Sequence, residues 1–260
     1  MADAEQSRRR VQSIEVGFRV LRVLRMAEGP LPLRDVAARA AMPPSKVHLY
    51  LVSFVRENMA YQDPRTGFYG LGSFAIQLGL AAVRQLDVVG AAGEVLNDLR
   101  DRTDCAIYLS LWGDQGPCVV AKADGNLQGA FTLRLGYILP VGTTATGQVF
   151  VTWLPREDVE RVLVTQYAAS TPHMVRARDR AADLDAIAAT VRERGYGSTA
   201  GRLNQNFAGL AAPIFDADGK LGAALTLLGP ADYVSDERQT QFAAMLTEAA
   251  ASVSKRVASA

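Results

Sequence analysis

Near the N-terminus, apolar residues recur every three or four positions in three segments, which is the spacing of amphipathic helices. The first segment runs from about 13 to 27 and ends at Glu28-Gly29-Pro30. The second covers 33–40, and the third begins at Pro44 and ends near Glu57, after the break Ala41-Met42-Pro43. We expect these side chains to face a common core: Ile14, Phe18, Leu21, Leu24, Leu33, Val36, Ala37, Ala40, Val47, Leu51 and Phe54.

The spacing of apolar residues changes from 3.6 to 2 after the third helix. Residues 60–62 and 68–71 are short alternating runs, and Asp63-Pro64-Arg65-Thr66-Gly67 between them contains turn-forming Pro and Gly. A β-hairpin is therefore predicted directly after the third helix. Helix, short helix, tight turn, helix and hairpin is the order of a winged helix-turn-helix, a DNA-binding motif.

The rest of the chain predicts a larger α+β domain. Strands are expected at 105–112, 118–123, 131–135, 207–215 and 220–228. Helices are expected at 143–154, 156–163, 180–194 and from Ser235 onwards. Helices at both ends of a largely antiparallel sheet give a sensor-like fold. The predicted organisation is a winged helix-turn-helix over 1–72 with a flexible arm at 1–12, a linker helix over 73–89, and a second domain over 90–260.

The amino-acid composition excludes several classes of protein. A chain of 260 residues, 49% apolar and 21% charged, is long enough for two globular domains. No apolar run reaches the roughly 18 residues of a membrane span, and residues 1–10 lack the apolar part of a secretory signal, so we expect a cytoplasmic protein. With only two cysteines and two histidines, neither a disulfide scaffold nor a Cys/His zinc cluster is expected, and no cofactor. Both cysteines are predicted as buried strand residues.

The small net charge of +1 conceals an asymmetry between the two parts of the chain. Residues 1–70 contain eleven Lys/Arg and seven Asp/Glu, a net charge of +4. Residues 71–260 contain seventeen and twenty, a net charge of −3. A basic small part on an acidic large part suggests that the first part meets an anionic partner, although a solvated face is the alternative.

Six segments together resemble the IclR family of bacterial transcription regulators over almost the whole chain. They are SIEVGFRVLRVL, PLRDVAARAAMPPSKVHLYL, GFYGLG, LGYILPVGTTATGQ, RGYG and GLAAPIFDADGKLGAALTLLGP. The resemblance implies a winged helix-turn-helix, a linker helix and a GAF-like domain that binds a small-molecule effector. It also implies double-stranded operator DNA as a partner, no membrane, and dimers that often pair into tetramers.

The third helix is the expected recognition helix. At its N-terminus Ser45 and Lys46 can meet phosphates, and His48 occupies the His of the family's S-T-V-H-R-type pattern. Leu49 departs from the Arg usual in the family and can contact a thymine methyl instead. The predicted DNA-binding residues are Arg34, Ser45, Lys46, His48, Leu49, Ser53 and Arg65. The alternative is an ordinary solvated helix face. For Arg8, Arg9 and Arg10, DNA contact and a solvated tail are equally compatible with the sequence.

The family's effector site lies between the sheet and the start of the helix that follows a P-L-H-x-T-A-x-G-K-like stretch. Here that stretch begins at Pro140, with Gly142 and Gln148 in place of the usual His and Lys. Free N–H groups at a helix start can receive a carboxylate, and Arg202 is a further carboxylate partner. The predicted effector-binding residues are Phe131, Leu133, Thr143, Thr144, Ala145, Thr146, Thr199, Arg202, Gly209, Thr226 and Leu228.

The kind of effector is predicted from side chains that acid-binding relatives have in the pocket and this chain lacks. Acid-binding relatives carry an acidic cluster where this chain has 199–202 and a Cys where it has Gly209. The resemblance therefore implies a roomier, less acidic pocket and an aromatic or otherwise bulky organic acid. The alternative is that Phe131, Leu133 and Leu228 are core residues only.

Two other classes of function are alternatives to a DNA-binding regulator. A redox enzyme on a GAF-like fold needs an activated thiolate, but neither cysteine lies in a C-x-x-C motif, and Lys122 is the one basic residue near Cys118. A pure oligomerisation module leaves the winged segment unexplained. Neither alternative accounts for the chain as well as a DNA-binding regulator does.

Overall fold

The computed structural model describes residues 11–127, 132–168, 179–199, 206–234 and 236–259. The chain divides into two compact units, one ending at Gln85 and the other beginning at Leu86. Within the described part of the chain, no single helix is long and apolar enough to cross a membrane. Helices 73–84 and 87–103 meet that criterion only when they are taken together as a bent pair.

The first unit consists of three helices, a two-stranded hairpin and a fourth helix. Its elements are α1 (Gln12–Met26), α2 (Leu33–Ala40), α3 (Pro44–Arg56), β1 (Ala60–Gln62), β2 (Tyr69–Leu71) and α4 (Ser73–Arg84). The strands are antiparallel, and Leu31 exchanges two backbone hydrogen bonds with Tyr69 at 2.9 and 2.8 Å. Val20, Val36, Val47 and Leu51 are fully buried at the centre. This is the predicted winged helix-turn-helix.

The inner face of α1 differs from the prediction. Ile14 and Phe18 are 56% and 53% exposed and Leu21 is half-buried, whereas Val16, Val20 and Val23 are buried together with Leu24. Both sets have helical spacing, so the period alone could not choose between them. The buried face of α1 is the one on which its valines pack against α2 and α3. An apolar stripe consequently remains exposed on α1.

The second unit is a five-stranded antiparallel sheet with helices on both faces. Its helices are α5 (Asp87–Thr103), α6 (Ala145–Trp153), α7 (Arg156–Ala168), α8 (Asp179–Arg194) and α9 (Asp236–Ala258). Its strands are β3 (Ala106–Gly113), β4 (Gly116–Ala123), β5 (Gly197–Ser198), β6 (Phe207–Phe215) and β7 (Leu221–Pro230), in the order β4-β3-β7-β6-β5. The α+β class and the antiparallel sheet are confirmed.

The alternation of side chains along β3 divides the second unit into two layers. Ile107 and Leu109 face the main core, which α5 and α9 complete with Leu99 and Leu246. Ala106 and Tyr108 belong instead to a smaller cluster on the opposite face. Two residues further on, the hydroxyl of Ser110 is buried and has no hydrogen-bond partner among the described residues. The sheet therefore presents a partly polar surface on the side that α6 covers.

Three elements differ from the sequence-based expectation. The helix predicted over 73–89 ends at Arg84, and a further helix, α5, follows it. Residues 132–135 are not a strand, because the N–H of Leu133 donates to the Tyr108 hydroxyl rather than to a neighbouring strand, and Gly136 turns the chain at φ +78°. The helix predicted over 156–163 continues to Ala168.

Candidate functional site

The exposed surface of α3 carries most of the side chains that were predicted to contact DNA. Val47 and Leu51 are fully buried and Phe54 is half-buried, so the opposite side of the helix faces outward. The predicted residues on this helix are all exposed: Ser45, Lys46, His48, Leu49 and Ser53. Leu49 is 68% exposed, which is a large apolar area to leave in water. Ser53 donates its hydroxyl hydrogen to the Leu49 carbonyl at 3.1 Å, so only its lone pairs remain for a partner.

Local sequence fixes how α3 is presented. Ala41 adopts a left-handed conformation at φ +52°, and Met42 donates its N–H to the Ala37 carbonyl at 3.0 Å, which turns the chain sharply after α2. On the inner side, a Cβ at Gly17 of α1 would lie 3.0 Å from the ring of Phe54. Glycine at this position thus permits α1 to approach α3 closely.

The wing is held by its own turn residues. The Asp63 carboxylate accepts hydrogen bonds from the N–H groups of Arg65 at 2.7 Å and Thr66 at 3.2 Å. Arg65 is exposed at the tip. Arg34, at the start of α2, has a side chain that is 86% exposed and pairs with Asp35 at 3.2 Å. Arg8, Arg9 and Arg10 lie outside the described residues.

A cavity of about 200 Å³, partly open to solvent, lies in the second unit between the start of α6 and the sheet. Eight of the predicted effector-binding residues line it: Leu133, Thr144, Ala145, Thr146, Thr199, Gly209, Thr226 and Leu228. Three further lining residues were missed from the sequence: Tyr108, Leu139 and Phe207. The structure thus brings together residues that are far apart in the chain.

Of the remaining predicted residues, the structure describes Thr143, which does not line the cavity. Thr143 is exposed just before α6, and Phe131 and Arg202 lie outside the described residues. Gln148, which takes the place of the family's usual Lys, exchanges two hydrogen bonds of 2.9 Å with the backbone of Ser198. Its amide therefore joins α6 to β5 and does not face the cavity.

The first turn of α6 packs closely against the residues that precede it. The Thr144 hydroxyl accepts from the N–H of Gly147 at 2.9 Å and donates to the Pro140 carbonyl at 2.7 Å. A Cβ at Gly147 would lie 2.1 Å from the Val141 carbonyl oxygen, so this helix end rests directly on the preceding backbone. The N–H groups of Ala145 and Thr146, in the first turn, have no partner within the helix and make this end positive.

The polar groups of the described lining are hydroxyls. Thr146 and Thr226 share a hydrogen bond of 2.8 Å between their hydroxyl oxygens. Thr199 accepts from the N–H of Gly209 at 2.9 Å, and Tyr108 accepts from the N–H of Leu133 at 3.1 Å. Among the lining residues that the structure describes, none carries a charge. This lining can bind an anion through dipoles and hydrogen bonds.

The titratable groups near the sheet do not resemble a catalytic site. Burial raises the pKa of Cys105 to about 12, so its thiol stays protonated at neutral pH and is a poor nucleophile. Cys105 precedes β3, a correction to the predicted strand position, and Cys118 is half-buried on β4. No group of three or more His, Cys, Asp or Glu side chains among the described residues is arranged to hold a metal ion.

Two protein-family models match consecutive parts of the chain. Residues 80–255 match the family of the bacterial transcriptional regulator IclR C-terminal domain, and residues 13–64 match the IclR helix-turn-helix domain. The chain belongs to the IclR family. Members of this kind combine a DNA-binding helix-turn-helix domain with a C-terminal ligand-binding domain.

Individual IclR relatives are similar over nearly their whole length. The transcriptional regulator XynR of Escherichia coli (strain K12) is 26% identical over 246 residues, covering 94% of this chain and 96% of XynR. The crystal structure of HmgR from Pseudomonas aeruginosa is 32% identical with a TM-score of 0.59, covering 95% of this chain and 98% of that one. An IclR homologue from Microbacterium hydrocarbonoxydans, solved with 4-hydroxybenzoate, is 20% identical with a TM-score of 0.78, covering 95% and 99%. The chain is accordingly a transcription regulator and not an enzyme.

Proposed function

We propose that this IclR-family regulator binds operator DNA with the outer face of α3 and the tip of the wing. The observation that carries the proposal is the exposed face of α3, where a hydroxyl, an ammonium, an imidazole and an unpacked leucine lie on either side of buried Val47. A major groove admits one helix, and these side chains suit phosphates at its edge and base edges within it. Arg65 and Arg34 supply phosphate contacts beside the helix.

Replacing Lys46 by alanine tests this interface. We expect operator affinity to fall for all sequences, and the slope of log affinity against log salt to become shallower by about one unit, because one phosphate contact is lost. His48→Ala should change sequence preference more than the salt slope. Both effects are measured by fluorescence anisotropy at several salt concentrations. Lys220→Ala, an exposed lysine in the second unit, is the matched control and should change neither quantity.

Unchanged DNA affinity in both Lys46→Ala and His48→Ala, with the fold intact, would contradict the assignment of α3 as recognition helix. A loss of affinity that is equal in Lys220→Ala would point instead to a general effect of net charge.

We also propose that the effector is an organic acid with a ring, bound in the cavity of the second unit. The positive start of α6 and the Thr146–Thr226 pair supply hydrogen-bond donors for a carboxylate, and Leu133, Leu139 and Leu228 supply an apolar wall. The 4-hydroxybenzoate bound to the Microbacterium homologue is an acid of this kind. The wall is closely packed at Gly209, where an added Cβ would lie 3.2 Å from the Thr199 hydroxyl and 3.7 Å from Leu228, so a larger side chain would crowd the cavity.

Thermal shifts with benzoates and with small keto-acids test the effector class. Ring acids should raise the melting temperature, because a ligand that binds only the folded state stabilises it by about 2.7 kcal/mol at a hundredfold excess over its Kd. Thr146→Val should weaken every acid, since it removes one hydroxyl of the pair. Gly209→Cys should weaken the bulkier acids selectively. Shifts with glyoxylate or pyruvate alone, and no effect of Gly209→Cys, would reject the ring acid.

The protein is further proposed to act as a homodimer or a dimer of dimers. No residue of α4 is buried, although Phe74, Ile76, Leu78 and Leu80 on it are large and apolar. The polar side chains of this helix lie on one side of it, at Ser73, Gln77 and Arg84, so the remaining circumference is apolar. Exposed apolar area of this extent in a first unit that also exposes Ile14 and Phe18 favours burial against a second copy.

A further inference from the structure

Tyr108 lies fully buried on β3 and contributes to the cavity wall. It stands directly opposite Thr226 in the register of β3 and β7, and both side chains belong to the cavity face of the sheet. Thr226 reaches toward α6 and pairs with Thr146, whereas the Tyr108 ring extends to the backbone of Leu133. The two neighbouring strands thus deliver hydroxyls to two different parts of the cavity.

The hydrogen-bonding capacity of Tyr108 is only half used. Its oxygen accepts one hydrogen bond, from the N–H of Leu133 at 3.1 Å. A phenol also donates one hydrogen bond, and among the described residues no acceptor for that hydrogen is found. Burial raises the pKa of Tyr108, so the hydrogen remains in place at neutral pH. A buried donor without an acceptor is costly unless a ligand or a water supplies one.

We propose that Tyr108 is a specificity-determining residue, whose hydroxyl donates a hydrogen bond to a second oxygen of the effector, separate from the carboxylate. The effector is then a ring acid that carries a hydroxyl or carbonyl substituent, and not a plain aromatic acid. This inference rests on the proposed ring acid and on its carboxylate binding at the start of α6.

The apolar part of the cavity lining supports this orientation. Leu133, Leu139 and Leu228 lie in the same cavity and offer only apolar surface. A ring can occupy that region while oxygens at its two ends meet Tyr108 on one side and the Thr146–Thr226 pair on the other. A site that hydrogen-bonds a substituent discriminates strongly against an analogue in which a methyl group replaces it.

Matched pairs of acids test the proposal by calorimetric titration. The probes are 3- and 4-hydroxybenzoate, each compared with the methylbenzoate of the same substitution, and the proteins are wild type and Tyr108→Phe. Wild type should bind at least one hydroxybenzoate about tenfold more tightly than its methyl partner. In Tyr108→Phe that preference should disappear, because the hydroxybenzoate weakens while the methylbenzoate changes by less than twofold.

A purely structural role of Tyr108 gives a different result. Tyr108→Phe also removes the acceptor of the Leu133 N–H, and a loosened wall would weaken both members of a pair equally, which overturns the proposal. If the partner of Tyr108 is an ordered water, wild type should show no preference for hydroxybenzoates. That result would also overturn the proposal, and it does not depend on whether the variant folds. If wild type binds none of the four acids, the proposed effector class itself is wrong.

Discussion

Replacing Gly147 by alanine is expected to destabilise the second unit by about 3 kcal/mol or more, as an overpacked site that cannot relax. The added Cβ would lie 2.1 Å from the carbonyl oxygen of Val141 and 2.7 Å from its carbonyl carbon. Both atoms are backbone, so no change of side-chain rotamer relieves the overlap. The start of α6 would have to move away from the backbone of Val141, and the first turn that faces the cavity would move with it.

A second helical glycine provides the matched control for this loss. Gly93 lies on α5 of the same unit and is exposed, and beyond its own helix backbone no atom of the described residues lies within 4 Å of the position that a Cβ would take. Gly93→Ala should therefore gain about 0.5–1 kcal/mol from helix propensity. Urea unfolding of the two variants measures both changes. Equal and small effects would mean that the close contact at Gly147 is absent in solution.

The double substitution Phe74→Glu with Leu78→Glu is expected to lower operator affinity by about a hundredfold or more. Both side chains are exposed and stand one turn apart on α4, so the change should alter the stability of the first unit by no more than about 0.5 kcal/mol. A dimer reads two half-sites about one helical turn apart, or a multiple of it, and loses the advantage of linked binding when it dissociates. Light scattering should find wild type at least dimeric at micromolar concentration and the variant monomeric.

The polar side of α4 supplies the control for added charge. Ser73→Glu with Gln77→Glu introduces the same two carboxylates on the same helix, at exposed positions outside the apolar surface. This variant should remain oligomeric and keep most of its affinity, apart from a small loss through repulsion from phosphate. A wild-type protein that is monomeric at micromolar concentration, or a control variant that dissociates as readily, would contradict the proposed role of α4.

Elements with a strong period and clear turn residues could be predicted from the sequence. α2 over Leu33–Ala40 and β6 over Phe207–Phe215 have the bounds that were expected, and the hairpin and α3 agree within a residue or two. Pro, Gly and the break between helices fix these boundaries locally, before any tertiary contact forms. The helix α5 was missed, although Val88, Ala92, Leu96 and Leu99 give it a regular buried face.

What the sequence could not decide is which of two apolar faces meets the core. On α1, the stripe of Ile14, Phe18 and Leu21 has the same spacing as the buried stripe of Val16, Val20 and Val23. Only packing against α2 and α3 selects between them, and that information is not local. The strand predicted at 131–135 fails for a similar reason, since Leu133 is held by a tyrosine side chain from another part of the sheet.

The residues that line the cavity could be predicted only at positions that the resemblance to the family supplied. Thr146, Gly209 and Thr226 were identified in this way and line it together. Tyr108 was missed because a tyrosine in an apolar strand looks like a core residue, and only the register of β3 shows that it shares a face with Thr226. The signal available in the sequence was its alternation with Ile107 and Leu109.

Because the described cavity lining carries no charge, DNA binding and effector binding should depend on different solution conditions. Contacts between cations and phosphates release counterions, so operator affinity falls steeply as salt rises. Hydroxyls and helix-end N–H groups are dipoles in a partly enclosed space, and mobile ions screen them far less. Ionic strength therefore sets how tightly the first unit binds DNA, and effector concentration sets the occupancy of the second. In the absence of DNA, a titration of effector at one salt concentration should superimpose on the same titration at another, whereas binding to DNA under the same two conditions should differ severalfold.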